Sequence, residues 1–285
     1  MNNSVWVSIL IPSYNHELFI KRCLDSVLED DYLNKEIIII DDGSTDSSDE
    51  LISKWIIENR TLIRVTYLRE RNKGLCATLN QLISKSTSKY VLILASDDEL
   101  FGNTLTERVA LLEKEEPNSK YVLVSDAYVV NDQSEIVMQS SMSDYNKGDK
   151  KKYLTDEGIL EEVILNPSIS GAVLLLNRKI YELVGPYPED LSAEDWYFYQ
   201  RAAGLHSILF YNKKVSLYRI HGSNSSGEHT SNVKKIKLVR SIIKTFTRNI
   251  SWFKEMKFKV MAIRQLSKFY FMLLKLYLRK MLNVN

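Results

Sequence analysis

Three pairs of adjacent carboxylates in this sequence have the residue types and positions to do chemistry. They are Asp41–Asp42, Asp97–Asp98 and Glu194–Asp195. Adjacent carboxylates repel each other, and a hard cation such as Mg²⁺ or Mn²⁺ that binds between them removes the repulsion. A carboxylate can also take a proton from an attacking hydroxyl group. Asp97–Asp98 is therefore a candidate for metal binding, and Glu194–Asp195 is a candidate for general base catalysis.

Each pair also has a purely structural explanation. Asp41 and Asp42 open the run Asp-Asp-Gly-Ser-Thr-Asp, which suits a turn and a helix N-cap. Residues 95–99 suit a solvated acidic loop, and Glu194 and Asp195 suit the first turn of a helix, where the helix dipole favours negative charge. A fourth candidate, His221, is of a type that more often lies alone at the surface than binds metal. Taken singly, these residues leave both explanations open.

Asp41 has one further role to consider, the recognition of a nucleobase. A carboxylate accepts hydrogen bonds, so it can pair with the ring N–H of uracil or thymine and not with the unprotonated ring nitrogen of cytosine. Guanine also offers a ring N–H. The position of Asp41 after an apolar run therefore predicts discrimination against cytidine nucleotides.

The elements that must position these residues are strands and helices in alternation. Apolar runs at 7–11, 37–40, 63–68 and 90–94 predict strands, and helical spacing of apolar residues separates them. Such alternation indicates βαβ units and a largely parallel sheet, which binds ligands at the carboxyl ends of its strands. Polar clusters lie at three of those ends. We therefore predict an α/β fold with a mixed, mostly parallel sheet and flanking helices.

The second half of the chain is less regular, and its predictions are correspondingly coarser. We expect strands at 121–130, 136–138, 171–176, 207–211 and 215–220, and a polar, mobile loop at 140–152. The last sixty residues are predicted to be helical throughout. The domain prediction is a catalytic domain at 1–226 followed by a basic amphipathic helical region at 227–285.

Charge is distributed very unevenly along the chain. Residues 228–285 hold 14 Lys or Arg and 2 acidic residues, whereas the whole chain has 38 basic and 36 acidic residues. A basic amphipathic helix can bind an anionic membrane surface through its lysines and its apolar face. The alternative is a pair of helices folded back on the acidic body. That acidic body argues against nucleic acid as a partner.

Several observations bear on the compartment. No run of about 18 apolar residues is present, so no membrane-spanning helix is predicted. The polar start at Asn2 and Asn3 predicts no signal peptide, and the spacing of Cys23 and Cys76 favours two reduced, buried thiols over a disulfide or zinc site. We expect a cytoplasmic protein that associates peripherally with the inner face of the cell membrane.

Taken in their order along the chain, the candidate residues and the sequence around them resemble the inverting glycosyltransferases of family 2, which have the Rossmann-like GT-A fold. The resemblance covers about residues 5–226. It is carried by Val-Ser-Ile-Leu-Ile-Pro-Ser-Tyr-Asn at 7–15 and by Ile-Ile-Ile-Asp-Asp-Gly-Ser-Thr-Asp at 38–46. A dehydrogenase is disfavoured, because no Gly-x-Gly-x-x-Gly follows the first predicted strand.

The resemblance implies transfer of a sugar from a nucleoside-diphosphate donor, with UDP- or dTDP-sugars favoured, to a glycan acceptor, which we expect to be lipid-linked. It implies a Mg²⁺ or Mn²⁺ cofactor and Asp195 as the catalytic base. The implied metal ligands are Asp97, Asp98 and His221. The donor-binding residues would be Pro12, Ser13, Tyr14, Asp41, Lys73 and Asp97, and the acceptor side would include Glu194, Gly171 and Trp196, with segments 140–152 and 166–171 shaping it.

The sequence departs from the family pattern at Ala95, where the metal-binding motif usually has an Asp. This departure motivates an alternative, a nucleotide-sugar-binding protein without turnover. A membrane-tethering module led by the basic C-terminal region is a third interpretation. Donor hydrolysis or sugar transfer separates the first two.

Overall fold

The computed structural model describes residues 5–222 and 232–281. Its strands are β1 Val7–Ser13, β2 Lys35–Asp41, β3 Arg64–Arg69, β4 Tyr90–Ile93, β5 Glu99–Leu100, β6 Val122–Val130, β7 Ile136–Met138, β8 Leu175–Asn177 and β9 Ile208–Arg219. Its α-helices are α1 Ile20–Glu29, α2 Ser48–Asn59, α3 Leu75–Lys85, α4 Leu105–Glu115, α5 Asp156–Leu165, α6 Ile180–Val184, α7 Glu194–Gly204, α8 Asn232–Asn249 and α9 Met256–Met281.

The strands form one mixed sheet in the order β3-β2-β1-β4-β8-β6-β9-β5, with β7 paired to β6. The first four strands in that order run parallel, as does β9 beside β6, whereas β8, β5 and β7 run in the opposite direction. Parallel neighbours bring the carboxyl ends of β1, β2 and β4 to one edge. The predicted mixed, mostly parallel α/β fold is confirmed.

Alternating side chains of the strands bury two apolar layers. In β1 and β2, Ile9 and Ile37 pack on one face with α1, α2 and α4, whereas Leu10 and Ile38 pack on the other with α3, α5 and α7. The period of two along each strand produces this division. The sheet is therefore covered on both faces, as a mostly parallel sheet requires.

The C-terminal region forms two helices rather than one continuous helix. Where the two helices meet, Phe246 of α8, Phe253 in the connection and Ala262 of α9 are part of the main core. The outer half of this helix pair has a small separate core of Ile236, Val239, Ile243 and Leu276. The predicted domain boundary at 226/227 lies outside the described residues. No helix within 5–222 or 232–281 combines the length and the apolarity needed to cross a membrane.

Three predictions of local structure need correction. Residues 171–176 form a 3₁₀ turn, Gly171–Val173, before a shorter strand, and β9 is one continuous strand where two were predicted. The predicted loop 140–152 is largely folded. It contains a π-helical turn, Ser141–Tyr145, that is anchored on the buried carboxylate of Asp126 through Ser140. A buried acceptor on a neighbouring strand decides this fold, and local composition does not reveal it.

Candidate functional site

The ends of β1 and β2 place Ser13 and Asp41 side by side. The backbone N–H of Asp42 donates to Ser13 O at 2.8 Å, and one carboxylate oxygen of Asp41 accepts from the N–H of Ser44 at 2.7 Å. Asp41 Oδ2 and Ser13 Oγ are buried and have no hydrogen-bond partner within the described ranges. An unsatisfied buried acceptor costs about 1–3 kcal/mol. A ligand N–H that reaches Asp41 would supply the missing bond.

Loops from three strands are joined around this position. Asp42 accepts hydrogen bonds from the backbone N–H groups of Lys73 at 2.7 Å and Gly74 at 2.9 Å. Gly43 has a φ of +79°, and a Cβ there would lie 2.8 Å from the backbone nitrogen of Asn72, so only glycine permits the close approach. The carboxylate of Asp42 thus has a structural role, and it fixes the loop that carries Lys73.

The other predicted donor residues lie at the same sheet edge with different exposure. Tyr14 is exposed and Pro12 is half-buried, so both present surface to a ligand. The ammonium of Lys73 pairs with Glu70 on the surface. The predicted donor residues therefore share one edge, and Lys73 is held there by its backbone.

Beside this edge, His16, Asp97 and His221 form a cluster with metal-binding potential. One ligand atom from each residue can be chosen so that all three lie within 4.8 Å of one another. His221 Nε2 lies 3.0 Å from Asp97 Oδ2, and His16 Nε2 lies 3.8 Å from the same oxygen. His16 Nδ1 is hydrogen-bonded to Ser96 Oγ at 2.7 Å, which orients the ring. The cluster joins the ends of β1, β4 and β9.

The donor set fits a divalent transition metal. Two imidazoles and one carboxylate give mixed nitrogen and oxygen ligands, which Mn²⁺ accepts more readily than Mg²⁺, whose preference is for oxygen. Burial lowers the pKa of His16, which leaves a nitrogen lone pair available. Burial opposes ionisation of Asp97, but its hydrogen bond with His221 and the charge of His16 bring its pKa below the ordinary value.

Asp98 has a different environment from its neighbour Asp97. It is buried, and its Oδ1 accepts a hydrogen bond from the backbone N–H of Arg219 at 2.8 Å. Burial and the adjacent charge of Asp97 raise the pKa of Asp98. The Arg219 guanidinium lies within the same network and donates to Asp97 O at 2.8 Å. The structure thus places Asp98 where it ties the β4 end to β9, outside the three-residue metal cluster.

Glu194 and Asp195 form the first turn of α7 and are half-buried. Burial, together with the charge of Asp195, raises the pKa of Glu194 to about 7, and burial also raises the pKa of Asp195. A raised carboxyl pKa is typical of a group that exchanges protons near neutral pH. The pair therefore has the electrostatics of a general base.

The segment before α7 is fastened to α3, next to the Lys73–Gly74 loop. The side chain of Asn80 makes two hydrogen bonds with the backbone of Tyr187, each 2.9 Å long. Cys76 Sγ donates to Leu191 O at 3.3 Å. These contacts place the carboxylate pair beside the donor-side loop.

Segments 140–152 and 166–171, both predicted on the acceptor side, are in direct contact. Asn166 Nδ2 donates to the carbonyls of Asn146 and Lys147 at 3.2 Å, and Asn146 Nδ2 donates to Ser168 O at 3.3 Å. Gly171 begins the 3₁₀ turn that follows. Trp196 lies elsewhere, with its ring edge-on to Phe246 at 6.1 Å and Phe269 at 5.7 Å. The structure therefore places Trp196 against the C-terminal helices.

Sequence reasoning missed His16, and it missed the connection of Arg219 to the acidic cluster. His16 carried a signal, because it closely follows β1 at the sheet edge where the candidate donor residues lie. Arg219 lies two residues before His221 at the end of β9. Its side chain is fully buried, and it contacts Glu99 and donates to Asn131 O at 2.6 Å. No local pattern predicts those contacts.

Comparisons with known proteins identify the family of the chain and show structures with the same fold. Residues 8–183 match the domain described as glycosyl transferase family 2. A glycosyltransferase of Rickettsia bellii (strain RML369-C) is 27% identical over 221 residues, which cover 77% of this chain and 29% of that relative. This chain thus spans less than a third of that curated relative's length.

Two solved structures share the fold. S. aureus TarS 1–349 in complex with UDP-GlcNAc has a TM-score of 0.65 and 20% identity, over 93% of this chain and 72% of that one. The mannosyltransferase PcManGT from Pyrobaculum calidifontis, in complex with GDP-Man and Mn²⁺, has a TM-score of 0.65 and 16% identity, over 93% and 70%. With the matched domain spanning more than half of its length, the chain belongs to glycosyl transferase family 2.

Proposed function

We propose that this chain is a metal-dependent, inverting glycosyltransferase that uses a UDP- or dTDP-sugar and a lipid-linked glycan acceptor in polysaccharide biosynthesis. The observation that carries the proposal is one sheet edge that holds both Asp41, with its unsatisfied buried oxygen, and the cluster of His16, Asp97 and His221. The first suits a nucleobase N–H and the second suits a cation beside a diphosphate. The Mn²⁺ bound by PcManGT supports the second assignment.

In this mechanism each group of residues has one task. Asp41 accepts a hydrogen bond from the ring N–H of the nucleobase, and Tyr14 packs on the nucleobase. His16, Asp97 and His221 would hold Mn²⁺ or Mg²⁺, and such an ion would supply positive charge beside the diphosphate. Asp195 takes the proton from the acceptor hydroxyl while the oxygen of that hydroxyl forms a bond to the anomeric carbon. The bond from that carbon to the diphosphate oxygen breaks on the opposite side, so the configuration inverts.

The test is a panel of UDP- and dTDP-sugars with Mn²⁺, measured by release of the nucleoside diphosphate. Asp195→Asn should lower the rate at least about a hundredfold, the scale of a positioned general base, and should retain donor binding. Near-normal turnover in this variant would contradict the assignment of Asp195. Binding of the donors without any release by the wild type would instead favour a nucleotide-sugar-binding protein.

The C-terminal helix α9 supports a membrane location for the acceptor. With 100° between successive residues, one exposed stripe of α9 is apolar. It consists of Ile263, Tyr270, Phe271, Leu274, Tyr277, Leu278 and Met281. A ridge of exposed basic residues borders the stripe, namely Arg264, Lys268, Lys275 and Arg279.

This arrangement fits an anionic lipid surface on the inner face of the cell membrane. The apolar stripe would enter the headgroup region, and the basic ridge would contact anionic headgroups. Each basic residue near such a surface contributes about 1 kcal/mol. The inner face of α9 packs on α8 and the body, so folding back on the body and docking on a membrane are compatible in one structure.

A further inference from the structure

The helix α8 is joined to the segment that carries Glu194 and Asp195 by a buried serine. Ser241 is 3% exposed, and its Oγ accepts hydrogen bonds from the backbone N–H of Ser192 at 2.8 Å and of Ala193 at 3.1 Å. These residues immediately precede α7, whose N-cap position is Ala193. Alanine cannot cap a helix with its side chain. A residue 48 positions along the chain therefore holds this helix start.

Other contacts from α8 bracket the same segment. Upstream, the two terminal guanidinium nitrogens of Arg248 donate hydrogen bonds to the two carboxylate oxygens of Asp190, at 2.8 and 2.9 Å. Downstream, Asn249 Nδ2 donates to Tyr197 O at 3.2 Å, and its Oδ1 accepts from Arg201 Nε at 3.0 Å. Ser192 and Ala193, which Ser241 bonds, lie between these two anchored positions in the sequence. Ser241 bonds the backbone on the N-terminal side of Asp195, whereas Phe246 and Asn249 of α8 contact Trp196 and Tyr197 on its C-terminal side.

We propose that Ser241 is a positioning residue for the reaction. It fixes the backbone at Ser192 and Ala193, and thereby the direction from which the Asp195 carboxylate meets the acceptor hydroxyl. This inference rests on the proposed role of Asp195. It gives the C-terminal region a part in catalysis that is separate from membrane binding.

The physical basis is the loss of two hydrogen bonds at a single point. Without the Ser241 hydroxyl, the N–H groups of Ser192 and Ala193 lose their acceptor, and because Ala193 is buried the backbone there must shift for its N–H to reach another partner. A displacement of about 1 Å between reacting groups can cost on the order of a hundredfold in rate. The donor site at the ends of β1, β2 and β4 makes none of these contacts.

The experiment compares Ser241→Ala with Ser241→Thr and with the matched control Ser267→Ala. Ser267 lies exposed on α9, where its hydroxyl bonds only the carbonyl of Ile263 in its own helix, at 3.0 Å. The assay is nucleoside-diphosphate release with the most active UDP-sugar of the panel. Ser241→Ala should lower kcat about tenfold to a hundredfold with the donor KM within about twofold. Ser241→Thr, which keeps the hydroxyl, should recover most of the rate, and the control should match the wild type.

A double-mutant cycle separates this inference from the proposed function. In an Asp195→Asn background, Ser241→Ala should change the residual rate by less than about twofold, because coupled residues are not additive. If Asp195→Asn is inactive and Ser241→Ala is normal, the positioning role is wrong and the base assignment stands. If Asp195→Asn turns over at the wild-type rate, the proposed role of Asp195 as the base is wrong, and the inference about Ser241 is wrong with it.

Amide hydrogen exchange provides a readout that does not need turnover. In Ser241→Ala, residues 190–196 should exchange faster than in the wild type, with β1, β2 and β4 unchanged. Unchanged exchange in 190–196 would overturn the inference. Faster exchange throughout the chain would also overturn it, because it would show a general loss of stability rather than a local positioning effect.

Discussion

Replacing Glu194 by Gln should make the protein more stable in alkaline solution and leave its stability nearly unchanged in acid. Burial and the charge of Asp195 raise the pKa of Glu194 from 4.5 to about 7. Between these values the folded protein keeps a proton that the unfolded chain releases. The stability that this group contributes is therefore present below pH 4.5 and is lost as the pH rises towards 7.

The size of the effect follows from the same two values. A difference of one pH unit corresponds to about 1.36 kcal/mol, so the rise from 4.5 to about 7 corresponds to about 3 kcal/mol at most. Glu194 is half-buried, and solvent screening reduces the figure. We expect the variant to gain about 1–3 kcal/mol in free energy of unfolding at alkaline pH, because Gln carries no charge in either state.

The assay is urea unfolding of the wild type and Glu194→Gln at about pH 4 and about pH 8.5, with Glu189→Gln as matched control. Glu189 is exposed in the same segment, so its replacement should have little effect at either pH. The advantage of Glu194→Gln should grow from near zero to its full value between the two conditions. An equal effect at both pH values, or a less stable variant at pH 8.5, would refute the reasoning.

Three further predictions concern metal, nucleobase and membrane. A chelator should abolish activity, and His16→Ala should weaken Mn²⁺ binding, measured by electron paramagnetic resonance, at least about tenfold, whereas His206→Ala, on an exposed histidine, should not. Normal activity in excess chelator would exclude the metal. Asp41→Asn should lower UDP affinity about tenfold relative to CDP in competition assays, because the amide can present N–H where Oδ2 accepts. An unchanged ratio would remove Asp41 as a base reader. The protein should pellet with anionic liposomes at low salt, and Phe271→Glu with Leu278→Glu should prevent this. The control pair Leu33→Glu and Leu62→Glu, at exposed positions on the body, should not. Equal pelleting by both double variants would contradict docking through α9.

The sequence by itself determined the fold class, and it predicted the sheet edge where the candidate donor residues lie together. Apolar runs such as 37–40 predict buried strands, and their alternation with helical patterns predicts a mostly parallel sheet. Parallel strands bring their carboxyl ends together, so the neighbourhood of Ser13 and Asp41 followed from local patterns alone. The predicted donor edge therefore needed no tertiary information.

The predictions for the second half of the chain were weaker for a physical reason. Its strands join the sheet out of sequence order, with β8 between β4 and β6, and with β9 between β6 and β5. Neighbours in such an arrangement are set by long-range packing, to which local composition gives no guide. The turn at Ser141–Tyr145 illustrates this, because Asp126 on β6 anchors a segment that looks like a mobile loop.

Which carboxylates lie beside the two histidines was likewise decided by tertiary structure. Asp97 and Asp98 are adjacent and chemically alike in the sequence, yet Asp97 meets His16 and His221, whereas Asp98 is buried against the backbone of Arg219. The Ser241 contact with the start of α7 is equally invisible in the sequence, because 48 residues separate its partners. The residue types indicated the candidate chemistry. The position of β9 in the sheet and the packing of α8 decided which side chains meet, because contacts between residues so distant along the chain depend on strand order and helix packing.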